Sequence, residues 1–411
     1  MFSSRPPLTA VLVTALLLAL SSTGSFASHE VVVPTPETDP VLARNLAAMS
    51  TQKSILDLEW LQPREVVAGT SDPVTPGVAD TFPTPDALKK AREYSDAHKG
   101  LGLLVWHEGQ LVDSHFSEGV SASTPFAAFS MHKSLLALAL LAAVEDGIVA
   151  SLDDMVGTYI PEWRDDTRGK ITLRQLLQQV SGLAHFSMAS GDPRAMALVL
   201  SSRISDTALS YPLAEPPGSE FNYNNVNSQI IGIALENALE KRGMRYAEYL
   251  SERLWRPLGN SDASLWIEHV GGSPRYFSGL AAGLIDWLHV GVMLLNEGRV
   301  RDRQLLSEES IALLSAPGAL NAGYGLNIWL SGDWHPVRSY GPRTPAGVPH
   351  AQPFLASPVL FFDGFGGQRV YVVPSRSLVI ARFGEVDMTY DDSIIVNALV
   401  QGLIDAESQA G

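Results

Sequence analysis

The sequence predicts an α/β (α+β) fold in which an antiparallel sheet, drawn from the two ends of the chain, is flanked by helices and split by an inserted helical subdomain. Three observations predict it. Leu101 to His107 and Gln110 to Phe116 are β-rich runs that meet at Glu108-Gly109, a hairpin signal. The stretch from about 150 to 270 reads mostly helical. Near the C-terminus β-like runs return at Gln368 to Val373 and Leu378 to Phe383, so distant segments complete one sheet. With 411 residues, 45% of them hydrophobic and 18% charged, the chain can bury a sizeable core, and it shows no repeat of fixed period.

Taken in order, the elements begin with an export signal over residues 1–27. Arg5 precedes an apolar stretch from Leu8 to Leu20, and small and polar residues follow, ending Ser25-Phe26-Ala27. The stretch is shorter than the roughly 20 residues of a spanning helix, which favours cleavage after Ala27 and a mature start at Ser28. Residues 28–85 mix Pro, Thr, Gly and acidic side chains without periodicity and read as an arm or linker. One domain is expected over 86–411. A polar helix runs from Asp86 to His98, and a helix starting near Ser130 and stopping at Gly147 contains the almost wholly apolar Leu135 to Val144. A helix apolar on every side is a buried one. In the helical subdomain Thr172 and Gln175 form a capping box, Gly182 is a C-terminal stop, and helices follow at Val226 to Glu240 and Tyr246 to Trp255, the latter ended by Pro257. A helix at Leu284 to Asn296, a β-like run at Tyr324 to Leu330 and a helix from Asp391 to Asp405 complete the reading.

Composition narrows the chemistry. Forty-four acidic against 29 basic residues give a net charge of -15, which repels phosphate backbones and anionic membranes, so a nucleic-acid partner is not expected. The chain has no cysteine, which excludes disulfides, thiolate metal sites and Cys nucleophiles. Nucleophiles must carry oxygen or nitrogen.

Three constellations supply candidates. Ser130-Met131-His132-Lys133 is an S-x-x-K at the start of the buried helix, where i and i+3 share a face and Lys133 can approach the Ser130 hydroxyl. Burial and the positive helix end disfavour ammonium, so Lys133 can serve as a base, and the Ser130 N–H can meet an oxyanion. The spacing alone is equally met by an N-cap serine with a solvated lysine. Ser50-Thr51-Gln52-Lys53 matches too, but falls in the irregular arm. Pro217 to Asn225 ends in Tyr223-Asn224-Asn225, a Y-x-N before a helix. Tyr223 could pass a proton to a leaving group and Asn225 could hold Lys133, or Asn224 or Asn225 could be an N-cap and Tyr223 a core aromatic. Gly364-Phe365-Gly366-Gly367-Gln368 enters the strand from Arg369 to Val373, where a substrate could lie along the backbone with the Gln368 N–H as a second oxyanion donor. By itself this is also a glycine-rich turn.

In that order the three motifs resemble the serine β-lactamase and penicillin-binding-protein superfamily, in particular its class C-like branch of β-lactamases, D-alanyl peptidases and esterases. Phe129 to Ser134, Ile171 to Leu177 with Ser181-Gly182-Leu183, Pro217 to Asn225, Pro257-Leu258-Gly259 and Gly323 to Leu326 carry the likeness, which spans roughly Pro85 to the C-terminus. It implies a β-lactamase/transpeptidase-like fold, an active site between an α/β domain and the helical subdomain, and no metal or organic cofactor. One departure is plain. The family's third motif offers Lys or His, then a small residue, then Gly, whereas Phe365-Gly366-Gly367 stands here. That is closer to aminohexanoate-oligomer hydrolase-like members and places amides and esters ahead of penicillins. Arg369 or Arg382 could substitute for the cation, although a strand arginine is more often solvated.

Other chemistries lack their motifs. There is no G-x-S-x-G, and His107-Glu108 lacks the second His of H-E-x-x-H and sits at the hairpin. His132 and His185 read as packing or pocket residues. The expectation is therefore a periplasmic or secreted serine hydrolase acting on a small-molecule or peptide substrate, not held in the membrane after signal cleavage and with no oligomeric state implied. The proposed roles are Ser130 nucleophile, Lys133 base, Tyr223 relay, Asn225 positioning, and Phe365, Gly366, Gly367 and Gln368 around the oxyanion and substrate. The alternatives are a D-alanyl peptidase or β-lactamase, and a non-catalytic protein that binds peptidoglycan or another ligand.

Overall fold

A computed structural model describes residues 33–74, 76–187, 191–344 and 346–410. The expected export signal, Arg5 to Ala27, lies outside them. Six strands form the main sheet: β1 Gly100–His107, β2 Gln110–Phe116, β3 Trp329–Leu330, β4 Leu360–Gly364, β5 Gln368–Val373 and β6 Leu378–Gly384. Their spatial order is β2-β1-β6-β5-β4-β3, with every neighbouring pair antiparallel. The β1–β2 hairpin turns at Glu108 and Gly109, whose φ values of 47° and 83° are those a two-residue turn needs to match the strand twist.

Side chains alternate across the sheet, and both faces are covered. Leu103, Val105, Tyr371, Val373, Leu378 and Ile380 point to one side, where α2 (Pro85–Ala97) and α6 (Ile394–Ala410) pack. Leu104, Val370, Val372, Val379 and Ala381 point to the other, against α5 (Leu284–Leu295), in one core cluster with α3 (His132–Glu145). The polar helix, the two hairpin strands, β5, β6 and the buried helix all lie where the sequence predicts. A 3-10 turn at Phe129–Met131 leads into α3, in which every side chain from His132 to Ala143 is buried. Its one hydroxyl is satisfied, because Ser134 Oγ donates to the Asn327 carbonyl at 2.6 Å.

Four expectations are corrected. The segment read as an irregular arm contains α1 (Pro40–Thr51), capped by the Asp39 carboxylate, and a strand Arg64–Val67 in a four-stranded sheet with Ala263–Trp266, Leu280–Ala282 and Phe126–Ala127. Tertiary contacts hold it: Leu42 is buried, and Asn45 Nδ2 donates to the Leu200 carbonyl at 2.7 Å. The run from Tyr324 to Leu330 narrows to Trp329–Leu330 because Asn327, with φ 52°, interrupts extension. The helix after the Thr172 capping box ends at Leu177 rather than at Gly182, whose carbonyl instead accepts from the Ala214 and Glu215 N–H groups. Finally, β4 is a strand that the sequence reading passed over. Among the described residues no helix is long and apolar enough to cross a membrane.

Candidate active site

The nucleophile candidate sits where the 3-10 turn meets α3. Phe129, just before it, has φ 50°, a left-handed conformation that costs an aromatic residue energy and is held here by packing. Lys133 is 1% exposed, so its amine must find protein partners. Nζ lies 2.7 Å from Ser130 Oγ, 2.9 Å from Asn225 Oδ1 and 3.2 Å from the Phe277 carbonyl. A neutral amine has two N–H donors and one lone pair. The amide oxygen and the carbonyl, which can accept and not donate, match the two donors, and the Ser130 hydroxyl is left to donate to the lone pair. Burial pushes the Lys133 pKa down to about 7, against the opposing pull of the Asp363 carboxylate.

Tyr223 and Asn225 arrive at the entrance of α4 (Asn225–Glu240). Asn224 is the N-cap, accepting from the Val226 N–H, which leaves the Asn225 amide for Lys133. Burial raises the Tyr223 phenol well above 10, neighbouring Tyr324 and Asp363 add to it, and a hydrogen bond with Ser130 opposes them, so Tyr223 keeps its proton as a donor. The turn is fixed by Gln179, a buried residue at φ 62° that the sequence reading missed. Its carbonyl accepts from Asn222 N at 2.8 Å. Its Oε1 accepts from Asn224 N and Asn227 Nδ2, each at 2.8 Å, and its Nε2 donates to Asn327 Oδ1 at 2.9 Å. Because Asn327 also receives Ser134 of α3, one amide network ties the nucleophile helix to the Y-x-N turn. A lone glutamine after a short helix gives no signal of this in sequence.

The glycine-rich turn is placed differently from expectation. β5 is an inner strand between β4 and β6, and Gln368 is fully buried, with Nε2 donating to the Phe365 and Gly384 carbonyls and Oε1 accepting from Gly384 N. Gln368 therefore braces the turn and does not line the cavity. The strand facing Ser130 is β4. Its neighbour β3 pairs with Leu360 and Phe361 alone, and its end is so close to the nucleophile turn that a Cβ on Gly364 would lie 2.6 Å from the Ala128 carbonyl. A hairpin reverses the chain, so the strand before the turn takes the position assigned to the strand after it.

Phe365, Gly366 and Gly367 do line the cavity, and the Phe365 ring meets Phe129 edge-on at 5.9 Å. Neither strand arginine is solvated. Arg369 is buried between Asp363 at 2.5 Å and Asp392 at 2.8 Å, and Arg338 bridges the same two carboxylates. Arg382 is buried on the Gly367 and His98 carbonyls. Tyr340 joins this cluster to the Y-x-N turn: its hydroxyl donates to Asp363 at 2.6 Å, and its carbonyl accepts from Tyr223 N at 2.9 Å.

The cavity in front of Ser130 holds about 560 Å³ and is walled largely by apolar side chains, among them Phe129, Phe186, Leu198, Val199 and Phe277. His185 lines it beside Asn222. His132 points elsewhere, to Tyr246 Oη at 3.1 Å, and burial pushes its pKa down to about 3. In the second S-x-x-K, at the end of α1, Ser50 and Lys53 are exposed. Among the described residues no group of three or more His, Asp or Glu is placed to hold a metal ion.

A family model, Beta-lactamase, matches residues 86–385, most of the chain. The chain belongs to the Beta-lactamase family. Members of this family are hydrolases, and solved structures share the fold. A Bacillus anthracis protein named as a 6-aminohexanoate-dimer hydrolase is 21% identical at a TM-score of 0.67, covering 87% of this chain and 93% of that one. EstCE1, described as a hydrolase with promiscuous acyltransferase activity, is 15% identical at a TM-score of 0.58, covering 77% and 97%. By sequence, Protein flp of Staphylococcus aureus is 26% identical over 141 residues, 34% of this chain, and the match spans 27% of that protein's length. In this Beta-lactamase-family protein the cavity wall also draws on residues outside the matched span: Met49 and Gln52 before it, and Val386, Asp387 and Met388 after it.

Proposed function

We propose that this protein is an exported serine hydrolase that cleaves an uncharged ester or amide bond through an acyl-enzyme on Ser130. The observation that carries the reading is the set of Lys133 contacts, two acceptors and one hydroxyl, around an amine whose pKa is near 7. Lys133 takes the Ser130 proton as Oγ bonds to the substrate carbonyl carbon. The oxyanion meets the Ser130 N–H and, in place of Gln368, the Phe365 N–H at the end of β4. Tyr223 donates its proton to the departing oxygen or nitrogen as that bond breaks, and Lys133 restores the phenol proton. Water then adds to the acyl-enzyme and releases the acid.

The choice of uncharged substrates rests on the surroundings of Phe365. Its ring is apolar and exposed to the cavity, and the lining arginine, Arg369, is committed to two aspartates. The names of two structural neighbours, a 6-aminohexanoate-dimer hydrolase and a hydrolase with promiscuous acyltransferase activity, fit that choice. Export rests on the N-terminal pattern and predicts a mature protein starting at Ser28, which N-terminal sequencing of secreted material checks. The test of the chemistry is a fluorophosphonate probe followed by peptide mapping. One adduct, on Ser130, is expected. Folded protein that stays unlabelled, as a non-catalytic binder of this fold would, or an adduct at Ser50, overturns the reading.

A further inference from the structure

The residues that frame the mouth of the cavity come from three separate places. Met49 lies in the last turn of α1, Phe129 and Phe365 line the cavity beside Ser130, and Val386 and Met388 follow β6. The two outer pieces lie beyond the family match, yet they are fastened to it and to each other. The Glu385 carboxylate accepts from Ser54 Oγ and, at 3.1 Å, from Ile55 N, joining the segment after α1 to the end of β6. Asp387 N donates to the Gly366 carbonyl at 3.1 Å, and Lys99 Nζ donates to the Val386 carbonyl at 3.1 Å. Val386 is seated on the glycine turn so closely that a Cβ on Gly366 would lie 2.7 Å from its Cα.

The backbone of this frame is thus fixed while its side chains stay open. Met49, Phe365 and Met388 remain 37%, 52% and 49% exposed. Large apolar groups gathered around a cavity mouth mark a surface for an apolar ligand, and the unbranched thioethers of methionine adapt to its shape. The acidic group in the wall itself disfavours an anion. Asp387 lies in the wall, and although its partial burial works the other way, hydrogen bonds from Thr389 and His98 hold its carboxyl below the usual range, so it is ionised at neutral pH.

We infer that Met49, Phe129, Phe365, Val386 and Met388 form a collar that grips the apolar acyl chain of the substrate, so that the segment before the hydrolase domain takes part in selecting it. The inference rests on the hydrolase reading for its position and names the substrate class: esters or amides of medium-length, uncharged acyl chains. The collar makes chain length the selected property, because each methylene that reaches it leaves water for an apolar surface.

The experiment compares p-nitrophenyl acetate with p-nitrophenyl octanoate. Wild type should favour octanoate in kcat/KM by about tenfold or more, and Met49→Asp combined with Met388→Asp should reduce that octanoate-to-acetate ratio by about tenfold. A flat wild-type profile, or a ratio that both substitutions leave within about twofold, overturns the collar. A second measurement separates this from the chemistry. Ser130→Ala protein should bind octanamide, read by calorimetry, more tightly than acetamide, and lose the difference when Met49→Asp and Met388→Asp are added. Absence of fluorophosphonate labelling and of ester turnover, with that binding intact, overturns the hydrolase reading and leaves the collar standing. Absence of any octanamide preference in Ser130→Ala overturns the collar.

Discussion

The two sides of the cavity are built on opposite terms. Beneath Ser130, Lys133 is sealed from water and held by three polar partners, and the Y-x-N turn is pinned by an amide network reaching back to α3. At the mouth of the cavity the proposed collar has a backbone tied down as firmly, but Met49, Phe365 and Met388 keep exposed side chains. The difference separates chemistry from choice. Where every polar atom is committed, a substitution displaces the reacting groups and costs rate. Where side chains are loosely surrounded, a substitution changes what is held, and the catalytic groups are undisturbed.

The sharpest way to break this comparison is to remove the nucleophile. Ser130→Ala should abolish labelling and reduce turnover by at least about a thousandfold, while Ser50→Ala should change neither. Rates of both variants on a neutral ester, with folding checked by circular dichroism, decide the matter. Lys133→Arg comes next. Arginine keeps a charge and cannot deprotonate, so the loss should be about a hundred- to ten-thousandfold in a folded protein. The pH profile carries the same information. With a pKa near 7, the fraction of neutral Lys133 falls about tenfold for each pH unit below that value, so kcat/KM should fall in step and level off above it. The stability sign is the reverse of an ordinary ion pair. Between about 7 and the ordinary lysine value of 10.5 the unfolded chain binds the extra proton, so this group makes folding more favourable as pH rises through that window. Below 7 its penalty is constant. Lys133→Met should remove the climb, as read by urea denaturation across the window.

Much of the buried side was legible in sequence, and for a physical reason. Leu135 to Val144 can be apolar on all sides only if α3 is surrounded, the Glu108-Gly109 pair suits a tight hairpin, and the Thr172–Gln175 capping box closes by contacts three residues apart. Ser130 and Lys133 share a face by local geometry alone. What could not be read depends on distant partners. Asp363 looks misplaced in a strand until Arg338 and Arg369 are brought beside it. Gln179 is unremarkable until Asn224, Asn227 and Asn327 surround it. A glycine-rich turn also does not say which of its two strands faces the cavity: Gln368 is buried in β5, and the end of β4 lies against the Ser130 turn. The helix α1 escaped because its stability comes from packing on Leu200 and its neighbours rather than from its own periodicity.

Gln179 offers an intermediate test. Gln179→Leu would leave the Asn224 N–H and the Asn227 amide without their buried acceptor, at a cost of about 1–3 kcal/mol in stability. Because the same bonds place Tyr223 and Asn225, kcat should fall by about ten- to a hundredfold with KM changed little. A variant that loses stability while retaining kcat would show that the network supports the fold and does not set the catalytic geometry.

The smallest expected effect concerns the open side. Phe365 lines the cavity with an exposed apolar ring, whereas a β-lactam or a peptide C-terminus brings a carboxylate, for which a charge-assisted contact in a partly desolvated site contributes about 1.5–3 kcal/mol. In the wild type the one arginine among the described lining residues is balanced by Asp363 and Asp392. Weak or absent penicillin hydrolysis is expected beside better turnover of neutral esters. Phe365→Lys places an ammonium on an exposed turn that has room for it, so the fold should survive. Two features hold the gain down. The site is open to solvent, which screens the new charge, and Asp387 nearby competes for it. The kcat/KM ratio for carboxylate-bearing over neutral substrates should therefore rise by about tenfold, and the rise should shrink in 0.5 M salt. An equal change on charged and neutral substrates, or efficient penicillin hydrolysis by the wild type, would mean that selection is made elsewhere in the cavity.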